Sequence, residues 1–300
     1  MTVTTRTGFT GRSSAPRGLA GMRTLSRILL LLGLLVPGLL GPVASASPAR
    51  SDVTPLARAH AHNDYEHTRP LRDALDHGFT SVEADVWLVD GELRVGHDLA
   101  DTRPGRTLES LYLAPFEQRA HDNAGRVYPG YRGTVQLLID VKSEADATYA
   151  AVDKALRDHA GLMTSFQGDQ AQQHAVTAVI SGNRDRALMK AQRVRFAGYD
   201  GRLADLQSGE SASGMPLVSD NWAQNFTWNG VGPMPAEEHA KLHRIVETAH
   251  AHGYRVRFWA TPDVAGPARD ALWSELLHAD VDQINTDDLA GLQAFLAAND

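Results

Sequence analysis

The 300 residues contain no cysteine, which excludes disulfides and thiolate metal sites and leaves stability to a core drawn from a chain that is 43% hydrophobic. A formal charge of −7 gives no attraction to nucleic acid or to an anionic membrane surface, so neither is expected as the main partner. An anionic ligand would need local positive charge, which a bound metal could supply.

Residues 1–46 hold five arginines, no acidic side chain, and an apolar run from Ile28 to Val36 that continues past Pro37 through Leu39 and Leu40. The run is too short and too broken by Pro37 to span a membrane, and Ala44 and Ala46 stand where an export peptidase requires small residues. The expectation is a secretory signal cut after Ala46 and a secreted product with no stable membrane insertion; Met22 stands as an alternative start. No arginine pair precedes the run, so the general secretory route is preferred. The mature chain would carry 24 basic against 36 acidic side chains on 254 residues, enough for one large domain. Residues 47–54 read as a short polar linker and 55–300 as that domain.

Strand-like and helix-like stretches alternate from there. Leu56 to His60 reads as a first strand, and Pro70 to His77 as a helix with Gly78 just past its end. Thr80 to Val89 is the second strand, turned at Asp90-Gly91 into a returning arm, Glu92 to Gly96. Val135 to Lys142 is the third strand, with Ala145 to Ala160 as its helix. Ala175 to Ser181, Arg193 to Tyr199, Pro216 to Ser219, Tyr254 to Ala260 and Gln283 to Asn285 complete eight strands. Helices are expected at Arg184 to Gln192, Ala236 to His252 and Pro267 to His278. Eight strands with intervening helices predict a closed α/β barrel of the (β/α)8, or TIM, type. Two long loops, Asp101 to Arg132 and Asn221 to Pro235, are expected above its mouth, the second carrying Trp222, Phe226 and Trp228, which either meet an apolar or sugar-like part of a ligand or, as such residues more often do, pack the loop.

In Ser81-Val82-Glu83-Ala84-Asp85-Val86, Glu83 and Asp85 share one strand face while Val82, Ala84 and Val86 share the other. The apolar face packs under the helices, so the carboxylates point into the barrel. Two buried acids repel and lose hydration unless a cation, or a barrel lysine or arginine, offsets them. Asp140, amid apolar residues of the third strand, adds a third oxygen donor. An all-carboxylate set selects one divalent cation of the Mg²⁺ or Ca²⁺ class. Lys142 shares its face and either contacts a phosphate or neutralises Asp140. Of thirteen histidines, His60, His62 and His97 stand at strand ends near the mouth; the helix and loop histidines, His159 among them, read as solvated. His60 and His97 form the expected acid–base pair. Asn63 either holds a substrate oxygen or caps a turn.

His60 closing strand one, Glu83-x-Asp85, His97-Asp98 after a hairpin, Asp140 with Lys142, Phe258-Trp259-Ala260-Thr261 and Ile284-Asn285-Thr286-Asp287 together resemble the PLC-like phosphodiesterase superfamily. That superfamily includes glycerophosphodiester phosphodiesterases and sphingomyelinase D. His60-Ala61-His62-Asn63-Asp64-Tyr65 with Ser81 to Leu88 is most similar to its "altered inheritance of mitochondria" subgroup. The resemblance implies a metal-dependent phosphoric diester hydrolase acting on a glycerophosphodiester, lysophospholipid or related phosphodiester, with Asn63, Lys142 and Trp259 as substrate contacts. The chain departs from the glycerophosphodiester pattern in having His60-Ala61-His62 for His-Arg-Gly and Pro70-Leu71-Arg72 for Pro-Glu-Asn. Two other readings stand beside it. One is a metal-dependent amidohydrolase using His60 and His62 as ligands, although the fifth and sixth strands end without histidine. The other is a catalytically silent exported barrel that binds a ligand.

Overall fold

The period-two pattern of the sequence is realised as eight parallel strands closed on themselves, in a computed structural model that describes residues 53–299. In chain order the elements are β1 (Leu56–Ala61), α1 (Arg72–Asp76), β2 (Phe79–Val89), β3 (Glu92–Val95), α2 (Ala114–Asp122), β4 (Val135–Val141) and α3 (Ala145–Asp158). There follow β5 (Ser165–Gln167), β6 (Gln170–Gln172), β7 (Val176–Gly182), α4 (Arg186–Ala191), β8 (Ala197–Gly201), β9 (Leu217–Asn221) and α5 (Trp222–Asn225). The chain ends with α6 (Ala236–Ala251), β10 (Arg255–Trp259), α7 (Pro267–His278), β11 (Gln283–Thr286) and α8 (Leu289–Asn299). The sheet runs β1-β11-β10-β9-β8-β7-β4-β2, and the β1–β2 pairing closes it into a (β/α)8 barrel. The expected export signal and its cut after Ala46 lie outside the described residues. Among the described residues no helix is long and apolar enough to cross a membrane.

Asp90 and Gly91, at φ 51° and 83°, make the two-residue turn the sequence predicts, and β3 returns antiparallel on β2. Helix starts follow local chemistry: the Glu144 carboxylate accepts from the backbone N–H groups of Asp146 and Ala147, and that of Asp185 from Leu188. The main apolar core lies between strands and helices and contains Val82, Ala84 and Val86. Leu138, Val179 and Leu217 form a small separate cluster. It belongs to the opposite, inward faces of β4, β7 and β9.

Two expectations are corrected, and the choice left open for the aromatic loop is decided. Residues 101–132 are not a loop over the mouth: they carry α2, which stands where a barrel helix should follow β2. Tyr112 and Tyr128 from this segment donate to the carbonyls of Glu83 and Phe79. The strand expected at Arg193 to Tyr199 is Ala197–Gly201, because Arg195 exchanges backbone hydrogen bonds with Phe166 of β5. Trp222, Phe226 and Trp228 face inward: all three are buried, and Trp222 stacks on Phe226 with centroids 4.1 Å apart, both against the edge of Phe258. That cluster is core, closed by the Trp222 indole donating to the Trp228 carbonyl.

Candidate active site

Period-two alternation sets the depth of each inward side chain. Ser81, Glu83 and Asp85 rise towards the mouth on β2, and Gln136, Leu138 and Asp140 rise beside them on β4, with Glu83 opposite Leu138 and Asp85 opposite Asp140. At the mouth a cavity of about 210 Å³ is lined by His62, Asn63, Glu83, Asp85, His97, Leu138, Asp140, Lys142, Ser181, Arg202, Ser219, Arg257 and Trp259. Of the eight residues that the sequence singled out, seven line it. His60 does not.

His60 is fully buried one layer lower. Its Nδ1 lies 2.7 Å from Ser81 Oγ and its Nε2 3.1 Å from Glu83 Oε2, so the ring donates to the carboxylate and accepts from the serine. Burial, aided by the Arg257 charge, lowers its pKa to about 3 despite the neighbouring Glu83. The ring, expected to take part in acid–base work, is thus neutral, hydrogen-bonded at both nitrogens and outside the cavity lining. His62, two residues on and one layer higher, does reach the cavity. Its Nδ1 lies 2.8 Å from Asp287 Oδ1. Burial opposes a charged ring, but Asp287 and the charge of Glu83 outweigh it, and the pKa is raised above 6.5. His97 returns on the β3 arm as expected, more than half exposed, with Nδ1 3.2 Å from Asp85 Oδ2. Asp98 is exposed and caps the turn at Leu99–Asp101 instead of lining the cavity.

Oxygens of Glu83, Asp85 and Asp140 lie within 4.8 Å of one another. Burial, then the charges of Glu83 and Asp140, push Asp85 up to about 6 against the pull of Lys142 and Tyr65. Asp140 is raised as well, again first by burial. Burial would raise Glu83 too, but the Arg257 charge and the His60 hydrogen bond hold it well below the usual carboxylate range. Oδ1 of Asp85 and Oδ1 of Asp140 are buried without a hydrogen-bond partner, which is costly unless something positive meets them. Three convergent carboxylates, two with an orphan oxygen, fit one hard divalent cation.

The cluster also has protein cations. Lys142 Nζ sits 3.1 Å from Asp85 Oδ2 and 2.9 Å from Asp140 Oδ2, so the neutralising arrangement is present. Arg257, 3% exposed, places a guanidinium nitrogen 3.1 Å from Glu83 Oε2. The Tyr65 hydroxyl lies 2.7 Å from both Asp85 Oδ2 and Asn63 Oδ1, which ties the turn after β1 to the carboxylates. Gly182 follows from the same crowding: at φ 65° a Cβ there would stand 1.9 Å from Asp140 Oδ1.

The opposite wall was not foreseen. Asp200, fully buried on β8, accepts from Ser181 Oγ at 2.8 Å, Ser219 Oγ at 2.6 Å and Arg202 at 2.5 Å, which fixes Arg202 at the rim. The alternation Arg255-Val256-Arg257-Phe258-Trp259 could have revealed Arg257, since it shares the inward face with Trp259. Nothing local marks Arg202 or Tyr65, whose roles arise between strands distant in sequence. His159, read as solvated, is buried between Glu109 and Glu117, at 2.9 and 3.1 Å.

Residues 48–200 match the model of the AIM6-like phosphodiesterase domain. The chain belongs to this family. Residues 255–290 match the glycerophosphoryl diester phosphodiesterase family. The two matched segments together hold every cavity residue except Arg202 and Ser219. Altered inheritance of mitochondria protein 6 of Lachancea thermotolerans is 30% identical, over 83% of this chain and 67% of that protein. The Eremothecium gossypii protein of the same name is also 30% identical, over 81% and 70%. The Arthroderma benhamiae homolog is 26% identical, over 79% and 82%. A glycerophosphoryl diester phosphodiesterase structure from Parabacteroides distasonis superposes with a TM-score of 0.46 at 14% identity, over 83% of this chain and 88% of that one. At the level of its superfamily this AIM6-like chain is a phosphodiesterase-type hydrolase, which displaces the amidohydrolase reading.

Proposed function

We propose that the chain is a metal-dependent phosphodiesterase that cleaves a small or lipid-derived phosphodiester, such as a glycerophosphodiester or lysophospholipid. One divalent cation, Mg²⁺ or Ca²⁺, is held by Glu83, Asp85 and Asp140. The observation that carries this reading is the convergence of Glu83, Asp85 and Asp140, with oxygens within 4.8 Å of one another and one orphan oxygen each on Asp85 and Asp140, in a cavity that also holds His62, His97, Lys142 and Arg257. When bound, the cation supplies charge to the phosphoryl oxygens and stabilises the charge that builds in the transition state.

The protein side chains do the rest. Lys142 and Arg202 both line the cavity and orient the anionic phosphate, Asn63 offers a hydrogen bond from the β1 turn, and Trp259 packs the alcohol portion. His62, whose pKa Asp287 helps to raise, gives a proton to the leaving oxygen. His97, exposed at the rim, takes one from the attacking hydroxyl or water. A cavity of about 210 Å³ admits a headgroup and phosphate but leaves acyl chains outside. Residues 1–46 support export of the protein.

The test is hydrolysis of a generic aryl phosphodiester before and after exhaustive chelation, with His62→Ala and His60→Ala compared. Activity should vanish on chelation and return with Mg²⁺ or Ca²⁺. His62→Ala should lower kcat by roughly 10²- to 10⁴-fold. Turnover that survives chelation would remove the metal from the reading. Ligand binding without any turnover of phosphodiesters would favour a silent barrel. A His60→Ala enzyme that is folded but dead, beside an active His62→Ala enzyme, would return the proton-transfer role to His60.

A further inference from the structure

Outside the cavity, α6 and α7 flank β10, the strand that carries Arg257 and Trp259. His239 and His243 are four residues apart on α6 and therefore share a face, with ring centroids 4.4 Å apart. Glu275 of α7 meets them there. One donor atom from each of the three lies within 4.8 Å of the others. Glu275 Oε1 is buried without a hydrogen-bond partner, and its side chain is 17% exposed. Among the described residues its one recorded ion-pair partner is His239, whose Nε2 stands 3.4 Å from that oxygen.

This spacing is longer than a good hydrogen bond and matches that between two donors of one tetrahedral metal site. A tetrahedral zinc ion about 2.1 Å from each donor holds neighbouring donors about 3.4 Å apart. The buried oxygen also needs a donor or a cation to meet it, and no hydrogen bond reaches it. We propose that His239, His243 and Glu275 form a transition-metal site for Zn²⁺ or a similar borderline ion, with water completing the tetrahedron. The two nitrogen donors set it apart from the all-oxygen cluster in the barrel, because imidazole favours Zn²⁺ over Mg²⁺ or Ca²⁺. The site ties the first two turns of α6 to the last turn of α7. Metal there braces the pair of helices that brackets β10, which is a stabilising role and not a catalytic one.

The experiment titrates Zn²⁺ into the full chain against a chromophoric chelator, with excess Mg²⁺ present to occupy the carboxylate cluster, and follows thermal melting in parallel. One equivalent of Zn²⁺ should bind, with a rise of several degrees in melting temperature at saturation. The equivalent and the rise should both be lost in His239→Gln/His243→Gln and kept in Asp85→Asn/Asp140→Asn. Co²⁺ substitution gives a second readout that does not depend on stability: visible bands of a tetrahedral imidazole-ligated ion in the wild type, absent from the histidine double variant. Zinc binding and stabilisation that persist without the two histidines, or that disappear with Asp85 and Asp140 instead, would overturn the proposal.

Discussion

Asp64 is a fully buried carboxyl in the turn that carries His62, Asn63 and Tyr65, and it accepts from the backbone N–H of Leu71 at 2.6 Å. Burial raises its pKa from 3.8 to about 7, against the hydrogen bonds from Leu71 and Tyr112 that pull the other way. The folded state therefore holds this proton more tightly than the unfolded chain does. Its contribution to stability is complete below pH 3.8 and is lost as pH rises through about 7. Three pKa units correspond to about 4 kcal/mol. Asp64→Asn keeps an acceptor for Leu71 but cannot ionise, so it isolates this one group from the other titrating side chains. Urea unfolding of both proteins should be followed from pH 4.5 to 9. The wild type should lose about 3 kcal/mol relative to Asp64→Asn over that range, the first part of the loss lying below pH 4.5, with most of it complete by pH 7. Near pH 9 the variant should then be the more stable protein. A difference between the two that stays flat with pH would refute a proton held at Asp64, and with it the account of how the turn after β1 is fixed.

Two further expectations concern the supports of the carboxylate cluster. Gly182→Ala places a methyl group 1.9 Å from Asp140 Oδ1 and 2.4 Å from the Val141 carbonyl oxygen, so Asp140 must move. Divalent-cation affinity should fall by roughly tenfold or more, as when a ligand's support is removed, and calorimetric titration with native-like circular dichroism would check it. Arg257→Met strips a buried guanidinium from Glu83 and should cost about 3–5 kcal/mol in denaturant unfolding. The double variant Glu83→Gln/Arg257→Met should recover much of that loss; a single variant within 1 kcal/mol of wild type would mean that the pair is solvated.

The sequence by itself determined the barrel and the carboxylate face. Both follow from local periodicity: in β2 and β4 the alternation of apolar and acidic residues leaves only one face to point inward, and Asp90-Gly91 can only turn a hairpin. The same short-range rule could not set the depth of a side chain at the end of β1. His60 and His62 share a face, and which of them meets solvent depends on how far β1 runs up the barrel against Ser81 and Asn285. Nor could it decide between packing and ligand contact for Trp222, Phe226 and Trp228, which Phe258 of β10 settles by packing beneath Trp222 and Phe226. The Arg257–Glu83 pair joins strands far apart in the chain, and the Asp200–Ser181–Ser219–Arg202 wall needs three successive strands aligned side by side. Tertiary structure decided these because charge and burial act through space, between strands that only barrel closure brings together.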